Sequence, residues 1–247
     1  MKLPRIFLVL FLLYCELFPQ TAEEIINKAE DIIKGTNAHG DITMTVETPD
    51  YTRDLEMESW WVGNEKALIV VKSPKKERGN KTLKIGNEMW NYLKNTETTI
   101  KIPPSMMLQS WNGSDFTNDD LVRESNLTDD YNQKILSEEE KNGDLCWKIE
   151  LDPKPEAPVV WGKLLYWVRK SDYIPVSVEY FNEKGVIMRD MVFSDIKILD
   201  GRKMPTKWTM INRTKEGHST SFIINDMQFD IKIPDRKFSF QELERGN

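Results

Sequence analysis

From Thr21 the chain reads TAEEIINKAEDIIKG, and its apolar positions, Ile25, Ile26, Ala29, Ile32 and Ile33, recur at the spacing of one helical face. Thr21 and Glu24 stand at capping-box spacing, and Gly35 is placed to end the helix. Beyond Gly35 the period drops to two. DITMTVE alternates Ile42, Met44 and Val46 with Thr43, Thr45 and Glu47, the pattern of a strand with one wet face. RDLEMESWWVG sets Leu55, Met57 and Trp61 against Asp54, Glu56 and Glu58, with Trp60 out of step. ALIVVKS, KTLKI and EMWNYL follow, separated by turn chemistry at Gly63-Asn64, Gly79-Asn80 and Gly86-Asn87.

After a central stretch the strands resume with YNQKILSEEE, LCWKIEL, KLLYWVRK, PVSVEYF, VIMRDMVFSDIKI, KMPTKWTMIN and STSFIINDMQFD. Turns between them fall at Asn142-Gly143, Glu183-Lys184-Gly185 and Asp200-Gly201. About ten to twelve strands with so few helices predict one antiparallel, strongly curved sheet or barrel. No Gly-, Pro- or Ser-rich linker divides the chain and no repeat recurs, so a single domain is expected.

The first residues belong to a different class. MKLPRIFLVLFLLY places Lys2 and Arg5 ahead of an unbroken apolar run over residues 6–14. That run is far shorter than the roughly 20 residues of a membrane-spanning helix, and it has the build of a secretory signal peptide. Residues 1–22 are read as the signal and 23–247 as the mature domain, which would be periplasmic. Cys15 raises lipid anchoring as a second possibility, but Tyr14 stands where lipoprotein processing wants a small residue. Removal of the signal leaves Cys146 alone, so no internal disulfide is available and the core must carry stability. Hydrophobic residues make up 39% and charged ones 30% of the 247, which fits a globular chain. A net charge of −6 argues against nucleic acid or an anionic membrane surface as partner. No further transmembrane segment is expected.

The residues most suggestive of chemistry lie in SWNGSDFTNDDL, from Ser110. Asp115, Thr117 and Asp119 match the first alternate positions of a calcium loop, but Asp120 replaces the required Gly and Asn126 the closing Glu. Asp115, Asp119 and Asp120 could form a looser oxygen site. Equally, Thr117 and Asp120 have capping-box spacing and would start a short helix through Leu121 and Val122. His39 and His218 are isolated, and no HExxH, GxSxG or Walker-type loop occurs. Glu56 and Glu58 share the exposed face of a strand, where solvation explains them. Asn80, Asn112, Asn126 and Asn212 begin N-x-Ser/Thr sequons. No metal, no cofactor and no catalytic residue is nominated.

The segment MMLQSWNGSDFTNDDLV resembles the signature of the outer-membrane lipoprotein-sorting family, the LolA-like proteins. Many members carry a phrase close to SW.GSDF.NDDL, often with methionine where Asn112 stands here. The resemblance implies a half-open antiparallel β-barrel whose concave apolar side is covered by the N-terminal helix and short helices. It implies a periplasmic, non-enzymatic carrier of lipid or lipoprotein acyl chains, with an inner-membrane transporter as a possible partner and a monomeric state. On that frame the alternation nominates Ile42, Met44, Val46, Leu55, Met57, Trp61, Phe222 and Ile224 for the cavity lining. Met106, Met107, Trp111 and Phe116 are nominated for a flap at its mouth. Ser110, Gly113, Ser114, Asp115, Thr117, Asn118, Asp119 and Asp120 would anchor that flap. The early helix and residues 103–122 together would form a lid. An accessory protein of a membrane exporter, or a hydrolase with a hidden carboxylate pair, stays open.

Overall fold

The computed structural model describes residues 20–123, 127–157 and 159–245. The apolar leader and Cys15 lie outside the described residues. Helix α1 (Ala22–Lys34) begins where the capping box places it. The Glu24 amide donates to Thr21 Oγ1 at 3.2 Å and the Thr21 amide to the Glu24 carboxylate at 3.1 Å. Gly35 ends the helix at a φ of 60°, which a residue without Cβ adopts at no steric cost.

Six strands follow: β1 (Asn37–Glu47), β2 (Thr52–Val62), β3 (Lys66–Ser73), β4 (Lys81–Ile85), β5 (Glu88–Leu93) and β6 (Thr98–Lys101). A 3-10 turn (Pro104–Met106), α2 (Asn118–Arg123) and α3 (Leu127–Asp130) come next. Seven more strands complete the sheet: β7 (Tyr131–Lys141), β8 (Asp144–Pro153), β9 (Lys163–Arg169), β10 (Pro175–Phe181), β11 (Ile187–Leu199), β12 (Arg202–Asn212) and β13 (Ser219–Phe229). A second 3-10 turn (Asp235–Phe238) and α4 (Phe240–Glu244) close the described chain.

All thirteen strands form one antiparallel sheet in the order β6-β5-β4-β3-β2-β1-β13-β12-β11-β10-β9-β8-β7, and it does not close into a barrel. The two ends of the meander, β1 and β13, pair at its centre. The chain therefore leaves one free edge at β6 and re-enters at the other, β7. The described residues between them, 102–123 and 127–130, lie across the concave face as a strap. Both free edges are short or rich in Lys and Glu, which discourages pairing with another chain.

The concave face of β8 and β9 is filled by α1, which also packs on part of β10–β12. Ile25, Ile26 and Ala29 of α1, all fully buried, pack with Ile149, Leu151, Tyr166, Val178 and Tyr180. On the opposite, convex face of β2–β5, the C-terminal turn and α4 insert Phe238 and Leu243 against Leu68, Leu83 and Tyr92. Lys81 fastens this cover by donating to the carbonyls of Glu242 and Arg245 at 2.8 and 2.7 Å. Trp60 is out of step because it faces this cover: Lys237 lies 3.5 Å from its ring centroid and His39 stacks on it at 4.7 Å. The strand pattern anticipates twelve strands; β6, four residues long, is the thirteenth.

Candidate functional site: a cavity beneath the strap

The SWNGSDF phrase folds into a compact corner within the strap. Ser110 and Thr117 form an isolated β-bridge, and the Trp111 amide donates to the Phe116 carbonyl at 2.8 Å. Ser114 Oγ donates to the Trp111 carbonyl at 2.7 Å and accepts from the Phe116 amide at 3.2 Å. Asn112 and Gly113 make the reversal at φ of 48° and 71°, the left-handed region that Asn and Gly tolerate. Arg53 of β2 reaches over to donate to the Asn112 carbonyl.

The acidic residues of the phrase serve this corner. Asp115 accepts from Thr220 Oγ1 at 2.9 Å and from Asn212 Nδ2 at 3.1 Å, tying the strap to β13 and β12. Thr117 and Asp120 form the capping box of α2, at 2.7 and 3.2 Å. Asp120 also takes a two-pronged contact from Arg189 of β11, one prong at 2.6 Å. The side chains of this pair are only 4% and 6% exposed, and the guanidinium packs against the rings of Trp161 and Tyr180, 4.4 and 4.5 Å from their centroids. The Asp119 amide and the Asn118 side chain donate to the carbonyls of Met107 and Met106 at 2.8 and 3.0 Å. Among the described residues no cluster of three or more His, Cys, Asp or Glu could hold a metal ion.

Between strap, α1 and the concave face, from β2–β5 across β1 and β13 to β10–β12, lies a cavity of about 260 Å³. Its wall is mainly apolar: Ile42, Met57, Trp61, Ile69, Met89, Phe222 and Ile224 from the sheet, and Phe116, Leu121 and Leu127 from the strap. Of the residues nominated for the lining, Ile42, Met57, Trp61, Phe222 and Ile224 stand on this wall. Met44, Val46 and Leu55 pack instead into a closed cluster under Trp111, which is 1% exposed and donates from Nε1 to Thr82 Oγ1 at 3.2 Å. Met107, with Met106 against it, packs on Met89 and Ile102 outside the wall, whereas Phe116 reaches it. Trp111 and Phe116 both meet Phe222, at 6.3 and 4.5 Å between centroids.

One end of the cavity is charged. Glu30 and Lys34 of α1 pair with each other there, and the Tyr166 hydroxyl lies 3.4 Å from Glu30. Lys84 of β4, 5% exposed, shares the wall and donates to the Asn64 carbonyl. Burial, with Lys34 nearby, pushes its amine down to about 8 against the opposing pull of Glu65. KTLKI offers no hint of this, because its alternation assigns Leu83 to the inside and Lys84 to water; the C-terminal cover over Leu83 reverses the assignment.

Elsewhere the titrating groups have structural partners. Burial raises the Glu58 carboxyl, but hydrogen bonds from Lys72 and His39 outweigh it and hold the group below its ordinary range. Burial, aided by Asp144, pushes the Cys146 thiol up to about 11, which keeps it protonated at neutral pH.

Comparison with known proteins extends this geometry. No curated protein matches the chain. A DUF1329 family protein from Desulfovibrio piger is 20% identical and has a TM-score of 0.81, over 90% of this chain and 97% of its own. A LolA superfamily protein from Nitrosomonas europaea is 22% identical, with a TM-score of 0.76 over 91% of this chain and 100% of its own. A domain from Vibrio parahaemolyticus assigned as an outer membrane lipoprotein-sorting protein is 22% identical, with a TM-score of 0.78 over 91% and 98%. A family profile whose description reads "Uncharacterized protein" matches residues 63–245. With that profile over most of its length and this fold over about nine-tenths of it, the chain belongs to the LolA-like family.

Proposed function

We propose that this protein is a periplasmic carrier that shelters acyl chains of a lipid or lipoprotein in the cavity beneath the strap and catalyses no reaction. The observation that carries the reading is the cavity itself, apolar on the sheet side and the strap side alike, in a fold that otherwise fills its concave face. Burying a methylene contributes about 0.8 kcal/mol, so a chain of about 15 would lose on the order of 12 kcal/mol on release to water. Such cargo must pass directly to another apolar site. The strap is fastened by side-chain contacts and by Trp111 and Phe116 packing on the sheet, not by a continuous ladder, which suits that task. Residues 1–19 serve as export signal, since Gln20 and Thr21 already belong to the fold: Gln20 bonds the Tyr173 hydroxyl and Thr21 caps α1. A cut directly before Ala22 would remove that cap.

The test is native mass spectrometry of residues 20–247 exported to the periplasm and purified without detergent, followed by lipid extraction. A bound lipid or lipopeptide near one per protein is the expected result; a clean empty mass, unchanged after incubation with membrane lipids, would overturn the carrier reading. One observation favours a second reading, an accessory protein of a membrane exporter. Ile196 and Ile198 on β11 are 40% and 72% exposed and offer an apolar patch to a protein partner.

A further inference from the structure

Lys84 occupies a position that water does not explain. Register across β2–β5 aligns Trp61, Ala67, Lys84 and Met89 as direct neighbours on the concave face, and three of these four are apolar. Ala67, directly opposite Lys84, ends at a methyl group and leaves room above the row. An ammonium has three N–H donors, and one goes to the Asn64 carbonyl. The other lysines on the wall have carboxylate partners, Lys34 with Glu30 and Lys66 with Asp235. Among the described residues Lys84 forms no ion pair. Glu65 attracts the ammonium from a distance without outweighing its burial, and a Met or Leu would fill the same place without that cost. A cation kept at the polar end of an otherwise apolar cavity is complementary to a ligand with an apolar tail and a negative head.

We infer that the cavity selects an anionic amphiphile, whose carboxylate or phosphate head pairs with Lys84 while its acyl chain lies among Met57, Ile69 and Phe222. The inference rests on the carrier reading and names the class of its cargo. An anion arriving at Lys84 would replace the solvation that burial removed, the same loss that lowers its amine to about 8.

The experiment compares oleate and oleoyl lysophosphatidate with the uncharged monoolein, each displacing a neutral environment-sensitive fluorophore from the exported protein. Inorganic phosphate serves as a head without a tail. Both anionic lipids are expected to bind about tenfold or more tightly than monoolein, the scale of one charge-assisted hydrogen bond. Lys84→Met and Lys84→Gln should each erase that preference, read as the ratio of anionic-lipid to monoolein affinity within the same folded variant, whereas Lys197→Met, exposed on β11 away from the cavity, should keep it. Equal binding of charged and uncharged lipids, or a preference that survives both Lys84 variants, would overturn the inference and leave the carrier reading standing. Displacement by phosphate as effective as by lysophosphatidate would overturn it in favour of a free-anion site. Failure of every lipid, monoolein included, would overturn both.

Discussion

Strands β8–β9 and strands β2–β5 carry similar alternations of apolar and polar residues, yet the first pair packs α1 into its concave face and the second group, facing β10–β12, leaves a cavity there. Their convex faces differ in the opposite sense. Over β7–β10 that face is a ladder of charge, with Lys141 paired to Glu179 at 3.0 Å and Lys163 to Glu150 at 3.5 Å. Lysine stems there also shelter Trp167, over whose ring Lys141 sits at 3.8 Å. Over β3–β5 the convex face is covered by Phe238 and Leu243, with Glu58 and Lys72 left at its exposed margin. The half that leaves space inside thus gains its packing outside. A cavity weakens a core, and a second apolar layer behind the same strands offsets the loss.

The largest effect is expected where the strap is fastened. Arg189→Leu strands a buried Asp120 and should cost about 3–5 kcal/mol in denaturant unfolding, while Asp120→Leu combined with Arg189→Leu should recover most of that loss. Next comes the contrast between the two concave faces themselves. Ile26→Ala, in the filled half, should cost about 3 kcal/mol or more, and Ile69→Ala on the cavity wall roughly half as much, because its side chain already borders space. Equal costs would dissolve the distinction between the halves.

Lys84 gives the comparison a pH signature. Its amine is lowered from 10.5 to about 8 by burial, so the unfolded chain holds a proton there that the folded one releases between those values. Stability should rise with pH across that window, by on the order of 3 kcal/mol from this one group, and be penalised in full below it. In Lys84→Met that component of the slope should vanish and the protein should be more stable near neutral pH. The smallest effect belongs to the filled half: Thr21→Ala, which removes the cap of α1, should cost about 1 kcal/mol in the same unfolding measurement.

Much of this architecture is legible in the residues. Thr21, Glu24 and Gly35 bound α1 to within a residue, and alternation locates twelve of the thirteen strands. Thr117 and Asp120 announce the capping box inside the strap, which is why SWNGSDFTNDDL reads as a corner. What alternation cannot supply is the number of covered faces. Leu83 and Lys84 are adjacent, and only the C-terminal cover decides which one points into the cavity. A signal for that cover exists in Ser239 and Glu242, at capping-box spacing, where Ser239 Oγ accepts from the Glu242 amide at 3.2 Å. Likewise, the period of β1 and β2 puts Met44, Val46 and Leu55 in line with Ile42 and Met57, but whether each meets a void or Trp111 depends on the distant strap. Thr98–Lys101 is too short and too polar to be distinguished from turn by pattern.

The central claim, that the space under the strap is a binding site and not a packing defect, is tested most directly by filling it. Ala67 lines the cavity between Trp61 and Lys84, so Ala67→Phe builds a ring into it without removing any core contact. The measurement is monoolein affinity of this variant against the parent protein, with melting temperature recorded alongside. A loss of about tenfold or more with melting unchanged or raised is the predicted result. Undiminished binding by a folded Ala67→Phe variant would place the lipid elsewhere and contradict the account.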